Sequence, residues 1–169
     1  MRLHRTIALI GLSGVGKSTL SAPLAAAFGC PANDTDALVV AAVGCSIDEL
    51  FAAQGEAAFR DHETAALAAA LAGPPQILAT GGGIVLRDAN RERLRTQATV
   101  IWLDAPDTVI LARLAAHAER RPLLATDPAA RLAALRQARA PLYQELAQLI
   151  LDTSSAPPDV LVQQIIDQL

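Results

Sequence analysis

Gly11-Leu-Ser-Gly-Val-Gly-Lys-Ser-Thr19 sets four free residues between a glycine and Gly-Lys-Ser, the spacing of a loop that cradles phosphates. Thr6-Ile-Ala-Leu-Ile10 before it is a short apolar, β-rich run that predicts a buried parallel strand, and residues 20–28 after it predict a helix. In that order, Gly11, Gly14 and Gly16 permit the positive φ values and close approach that turn amide N–H groups onto a polyphosphate. The helix N-terminus adds its partial positive charge. Gly14, Val15, Gly16, Lys17, Ser18 and Thr19 are the expected nucleotide contacts, with Lys17 on the β- and γ-phosphates and the Ser18 hydroxyl on Mg²⁺. A glycine turn beside a solvated lysine would need only part of this pattern, so the full motif in its strand-to-helix context favours a nucleoside triphosphate.

Beyond the loop, Gly29 to Asn33 form a short connection into Asp34-Thr-Asp36, and Ser46 with Glu49 has the spacing of a capping box for the next helix. Gly55 separates that helix from a longer one over residues 56–71. Gln76-Ile-Leu-Ala79 reads as a second buried strand running into a second glycine loop, Thr80-Gly-Gly-Gly83. Asp88 or Asn90 opens a helix through Leu94, residues 98–103 read as a strand, and Pro106 starts the following helix. Residues 115–128 show no regular period. A helical pattern over 129–148, interrupted at Pro141, precedes a last strand, Leu149-Ile-Leu-Asp152, and a last helix over 158–169. Strands alternating with helices predict an α/β fold whose parallel sheet, of about five strands, is flanked by helices on both faces.

At 169 residues one domain spanning 1–169 is expected, large enough to bury about 70% of the surface of its unfolded chain. Hydrophobic residues make up 52% and charged residues 18%, and the formal net charge of −3 offers no general attraction to nucleic acid or an anionic membrane. The apolar run after Met1-Arg-Leu-His-Arg5 ends in the glycine loop, too soon for a secretory signal. Cys30 and Cys45 have neither metal-ligand spacing nor the density of a disulfide framework, which predicts reduced thiols and a cytoplasmic protein.

A phosphate loop leaves the phosphoryl acceptor open. No Asn-Lys-x-Asp guanine signature occurs, which argues against a GTPase. Asp104 closes an apolar run before a proline, as a carboxylate that holds Mg²⁺ in ATPases does, although such a pattern is common by chance. Asp34 and Asp36 stand two apart on a segment that reads as extended, near the carboxyl ends of the strands, where ligands bind in such folds. One can serve Mg²⁺ and the other can take a proton from an attacking hydroxyl; spacing alone favours this no more than an Asp-rich turn.

Six motifs then stand in one order: the phosphate loop, Asp34-Thr-Asp36, Gly55-Glu-Ala-Ala-Phe-Arg60 with Glu63, Thr80-Gly-Gly-Gly-Ile-Val-Leu86, Arg121-Pro-Leu-Leu124 and Arg139-Ala-Pro-Leu-Tyr143. In this combination the chain resembles the shikimate kinases, from Gly11 to Tyr143. The resemblance implies a P-loop fold of the nucleoside-monophosphate-kinase type, with a shikimate-binding helical region near 37–71 and a lid loop near 115–128. It implies transfer of the γ-phosphate of ATP, with Mg²⁺, to the 3-hydroxyl of shikimate in aromatic amino-acid biosynthesis. Arg60 and Arg139 are then matched to the substrate carboxylate, Glu63 to the orientation of Arg60, Gly82 to a donor on the substrate, and Asp36 to the attacking hydroxyl. Asp34 is matched to the Mg²⁺ shell beside Ser18, Arg113 to a stack on adenine, and Arg121, with Arg120 as its rival, to the transferred phosphate. The expected partners are ATP and shikimate, with no nucleic acid and no membrane, and a monomer is the default. Another small-metabolite kinase, such as a gluconate kinase, would keep the phosphate loop without needing the paired arginines, Asp36 and the triple glycine. A catalytically dead relative would be expected to have lost Lys17, Asp36 or Arg121.

Overall fold

The computed structural model describes residues 3–116 and 127–169. Five strands, β1 (Thr6–Ile10), β2 (Ala32–Asp34), β3 (Ile77–Ala79), β4 (Ala98–Asp104) and β5 (Leu149–Asp152), form one parallel sheet in the order β2-β3-β1-β4-β5. The helices are α1 (Lys17–Phe28), α2 (Thr35–Val43), α3 (Ile47–Ala72), α4 (Asp88–Gln97), α5 (Asp107–Ala116), α6 (Pro128–Leu146) and α7 (Pro158–Gln168). The fold is the expected α/β arrangement of the P-loop nucleoside-monophosphate-kinase type. Central β1 is buried along its whole length, which is why it reads as a continuous apolar run rather than an alternating one.

Register brings the functional segments to one edge of the sheet. Leu9 lies opposite both Ala79 and Ile101, Asp34 lies opposite Ala79, and Asp104 opposite Asp152. The phosphate loop, the acid pair and the glycine run therefore all leave the sheet at its carboxyl end, where helix N-termini gather. The main core packs Ile7, Leu9, Leu24, Leu78, Leu94 and Ile101 among others, while Val39, Leu50 and Phe59 form a separate small cluster beneath α2 and α3.

Local chemistry explains where the elements begin and break. Ser46 and Glu49 form the predicted capping box, with Ser46 N donating to Glu49 Oε2 at 2.8 Å and Glu49 N to Ser46 Oγ at 3.2 Å. Gly55, at φ 79° and ψ 177°, is the break foreseen inside residues 47–72, and it survives as a kink between two helical stretches. Two expectations change. Asp34 and Asp36 do not share an extended segment: Asp34 ends β2 and caps α2, its Oδ1 accepting from Asp36 N at 2.8 Å, so Asp36 already lies in the first helical turn. An aspartate is a strong N-cap, and satisfying that amide outweighs continuation of the strand. Pro141 does not interrupt α6, which runs through it. Of the two residues offered for the start of α4, Asp88 is its first residue, while Asn90 is buried and donates from Nδ2 to the Ile84 carbonyl at 3.0 Å. Edge strand β2 is tied down by Asn33 Nδ2, which donates to Gln76 Oε1 at 2.6 Å, while Gln76 Nε2 donates to the Ala70 carbonyl at 2.8 Å.

Candidate active site

Gly16, with φ 101°, caps α1, which begins at Lys17, so the helix N-terminus opens directly onto the phosphate loop. Lys17 Nζ lies over that loop and donates to the carbonyls of Gly11 and Leu12, each at 2.8 Å. Ser18 and Thr19 are exposed on the first turn, whereas Val15 is fully buried. Ser18 Oγ donates to Asp34 Oδ2 at 3.3 Å, so the hydroxyl and carboxylate expected around Mg²⁺ do meet. Two hard oxygens beside a phosphate loop fit Mg²⁺, which takes few protein ligands and completes its octahedron with water and phosphate oxygens.

Arg113 reaches back to the loop from the last turn of α5. It donates from Nη1 to the Val15 carbonyl at 3.3 Å and to Thr153 Oγ1 at 2.9 Å, and from Nη2 to the Thr153 carbonyl at 2.7 Å. Thr153 itself, buried after β5, donates from Oγ1 to the Val15 carbonyl at 2.7 Å. Nothing in the sequence around Thr153 marks this tie, because it joins segments 138 positions apart. Asp104 accepts from Arg136 Nη1 at 2.8 and 3.0 Å, and Arg136 also donates to Asp107 and to the Ala105 carbonyl. The Asp104 carboxylate is thus engaged by α6. Arg120 and Arg121 lie outside the described residues, as does most of the expected lid.

On the other side, the glycine run is the hub. A methyl on Gly81 would lie 2.7 Å from Asp36 Oδ1 and 2.9 Å from Glu63 Oε1; on Gly82, 3.3 Å from Arg139 Nη1; on Gly83, 2.5 Å from Arg60 Nη2. Each glycine therefore leaves the volume that a charged side chain occupies, so a Cβ at Gly81 or Gly83 would force those groups apart. Asp36, Glu63, Arg60 and Arg139, from three helices, are all brought together there. Gly82 also faces the phosphate loop, its own absent methyl only 3.4 Å from the Gly11 carbonyl oxygen and 3.6 Å from Ser13 N. The acceptor side and the phosphate side are thus in contact.

Arg60 donates from Nη1 to Glu63 Oε2 at 2.8 Å and from Nη2 to Glu56 Oε1 at 3.1 Å. Burial works against its charge, but these two carboxylates outweigh it and hold the guanidinium firmly protonated. Glu63 is wholly buried, and its Oε1 has no hydrogen-bond partner among the described residues. Burial pushes its carboxyl above the usual range, with the Arg60 hydrogen bond opposing and the Asp36 charge adding to the rise. The pair therefore orients Arg60 at the expense of a desolvated acid. Tyr143, one turn beyond Arg139, is buried and donates its hydroxyl to the Gly82 carbonyl, and burial raises its pKa to about 12.

A model of the shikimate kinase family matches residues 13–169. The chain belongs to the shikimate kinase family. The shikimate kinase of Synechococcus sp. strain JA-3-3Ab is 47% identical over 161 residues, covering 95% of this chain and 85% of that one. The shikimate kinase of Ruegeria pomeroyi is 39% identical over 168 residues, covering 99% and 86%. The solved structure of Acinetobacter baumannii shikimate kinase in complex with shikimate superimposes with a TM-score of 0.90 at 33% identity, covering 96% of this chain and 91% of that one. As a member of this family the protein is an ATP-dependent kinase. No helix among the described residues is long and apolar enough to cross a membrane.

Proposed function

We propose that this protein transfers the γ-phosphate of ATP to the 3-hydroxyl of shikimate, giving shikimate 3-phosphate and ADP. The observation that carries the reading is the convergence of Arg60, Arg139 and Asp36 on a glycine run that itself touches the phosphate loop. A small acid with several hydroxyls needs these groups: planar cations for its carboxylate, an acceptor for the attacking hydroxyl, and close backbone for its ring.

In this reading Arg60 and Arg139 hold the carboxylate, Gly82 donates to the substrate, and Asp36 takes the proton of the 3-hydroxyl as its oxygen attacks phosphorus. The new oxygen–phosphorus bond forms as the bond to the β-phosphate oxygen breaks, and ADP leaves. Lys17 and the N-terminus of α1 stabilise charge on the phosphates throughout. Ser18 and Asp34 would hold Mg²⁺, whose chemistry is to neutralise phosphate charge. Glu63 acts through Arg60. Arg113, held beside the loop by Thr153 and Val15, is assigned to the adenine, and Arg121 to the transferred phosphate. Alignment of acceptor and donor is the larger part of catalysis in such a site.

Because both sides of the cleft come from one chain, a monomer suffices, and a cytoplasmic enzyme of one domain completes the reading. Release of ADP measured with shikimate, gluconate, nucleoside monophosphates or no acceptor tests the whole. ADP should appear rapidly with shikimate alone; equal rates with gluconate, or without any acceptor, would overturn it.

A further inference from the structure

Tyr143 ends the motif that supplies Arg139, yet the reaction as derived gives it no part. Its ring packs against Trp102, with centroids 5.8 Å apart, and the residue is only 1% exposed. A phenol buried so deeply keeps its hydroxyl only where it is hydrogen-bonded, since an unpaired polar group there is costly. Here it has such a partner. It donates to the carbonyl of Gly82, and Arg139, four positions earlier on the same face of α6, sets its Nη1 3.3 Å from where a methyl on Gly82 would lie. Gly82 is thus held from two sides of α6, its carbonyl by the phenol and its Cα by the neighbouring Arg139 guanidinium.

We propose that Tyr143 is a positioning residue for recognition of the acceptor's carboxylate: it fixes Arg139 relative to Gly82, so that the cation and the glycine backbone meet the substrate as one preformed unit. This rests on the functional reading above. Without the hydroxyl, the Gly82 carbonyl loses its donor and the glycine backbone its tether beside Arg139, while the ring continues to fill its place against Trp102. The loss should fall on acceptor binding and not on the nucleotide.

Tyr143→Phe should raise KM for shikimate about tenfold, the scale of one hydrogen bond to a charged group. It should leave kcat within about threefold and KM for MgATP within about twofold, since neither depends on that tether. Shikimate methyl ester, whose carboxyl is neutral, gives the sharper readout. The penalty for esterification should be large in the wild type and clearly smaller in Tyr143→Phe, as expected for coupled partners. An equal penalty in both, an unchanged KM for shikimate, or a rise shared equally by MgATP would overturn the proposal. A second measurement needs no variant: the chain has one tyrosine, so a ¹³Cζ-tyrosine label gives one resonance. It should move on saturation with shikimate and less with the ester; a resonance that shikimate does not shift overturns the inference even if Tyr143→Phe fails to fold. Wild-type protein that cannot phosphorylate shikimate at all would instead defeat the functional reading itself.

Discussion

At the phosphate loop this protein presents backbone from consecutive residues, Gly11 to Ser18, whereas at the glycine run, the proposed acceptor side, it presents charged side chains brought from α2, α3 and α6 onto three glycines. The first region is stabilised by its own chain: Lys17 is satisfied by two loop carbonyls, and the helix begins at once behind it. The second gathers two acids and two arginines in a partly buried space, including a Glu63 that is wholly desolvated. A loop of amides can accept any polyphosphate with little rearrangement. Specificity for one small acid instead needs groups of fixed direction, and the protein accepts strained electrostatics to hold them.

If that contrast is right, substitutions on the two sides should separate by kinetic constant. The largest effect is expected for Lys17→Ala, which removes a cation from the transferring phosphates and should lower kcat by about 10³ or more. The fold should remain, because the two bonds lost join Lys17 only to carbonyls of its own loop, within six residues; ADP release and far-UV circular dichroism check the two halves of this statement. Retained turnover would mean that the loop amides alone suffice. Next is Asp36→Asn, which keeps size but cannot take a proton. It should lower kcat by about 10² or more, the scale of general base catalysis, with MgATP affinity near normal by calorimetry. A near wild-type rate would reduce Asp36 to an orienting group. Arg139→Ala follows, and belongs to recognition: KM for shikimate should rise about 10- to 100-fold, as for loss of a charge-assisted bond, with a smaller fall in kcat. A fall in kcat alone would blur the division between binding and chemistry.

The same contrast explains what could be read from the residues alone. The phosphate loop is a short-range pattern, so its glycines, Lys17 and Ser18 were legible together with β1 and β5, whose bounds match the expected ones. Ser18 and Asp34 meeting was foreseen only through a family resemblance, because their contact depends on the parallel register of β2 and β3, with β3 lying beside β1. Asp34-Thr-Asp36 reads as extended because an aspartate serves equally well as a strand end and as a helix cap until its hydrogen bond is seen. Pro141 reads as a break because proline removes one helical hydrogen bond, yet packing of Tyr143 and Leu146 on the same helix outweighs that loss. The burial of Glu63 against Gly81 and the ties of Tyr143 and Thr153 arise from tertiary packing, and no local period announces them.

The smallest expected effect is also the most direct test of electrostatic strain on the acceptor side. Glu63 has a folded pKa above its ordinary value, with burial the largest cause. An acid raised in the folded state contributes stability that is fully present below its unfolded pKa, about 4.3, and that is lost as pH rises through the higher folded value. Glu63→Gln removes this titration while its carbonyl can still accept from Arg60. The two proteins should therefore be closest to each other, or favour the wild type, in mild acid. As pH rises from about 4 the variant should gain on the wild type, then keep a constant advantage once the wild-type carboxyl is fully ionised. The change should be only a few degrees, since 1 kcal/mol moves the Tm of a domain this size by about 2–4 °C. Thermal melts of both proteins from pH 4 to 8 measure it. If the wild type instead gains on the variant as pH rises, pairing with Arg60 outweighs burial, the acceptor side carries no such strain, and its contrast with the phosphate loop reduces to one of geometry.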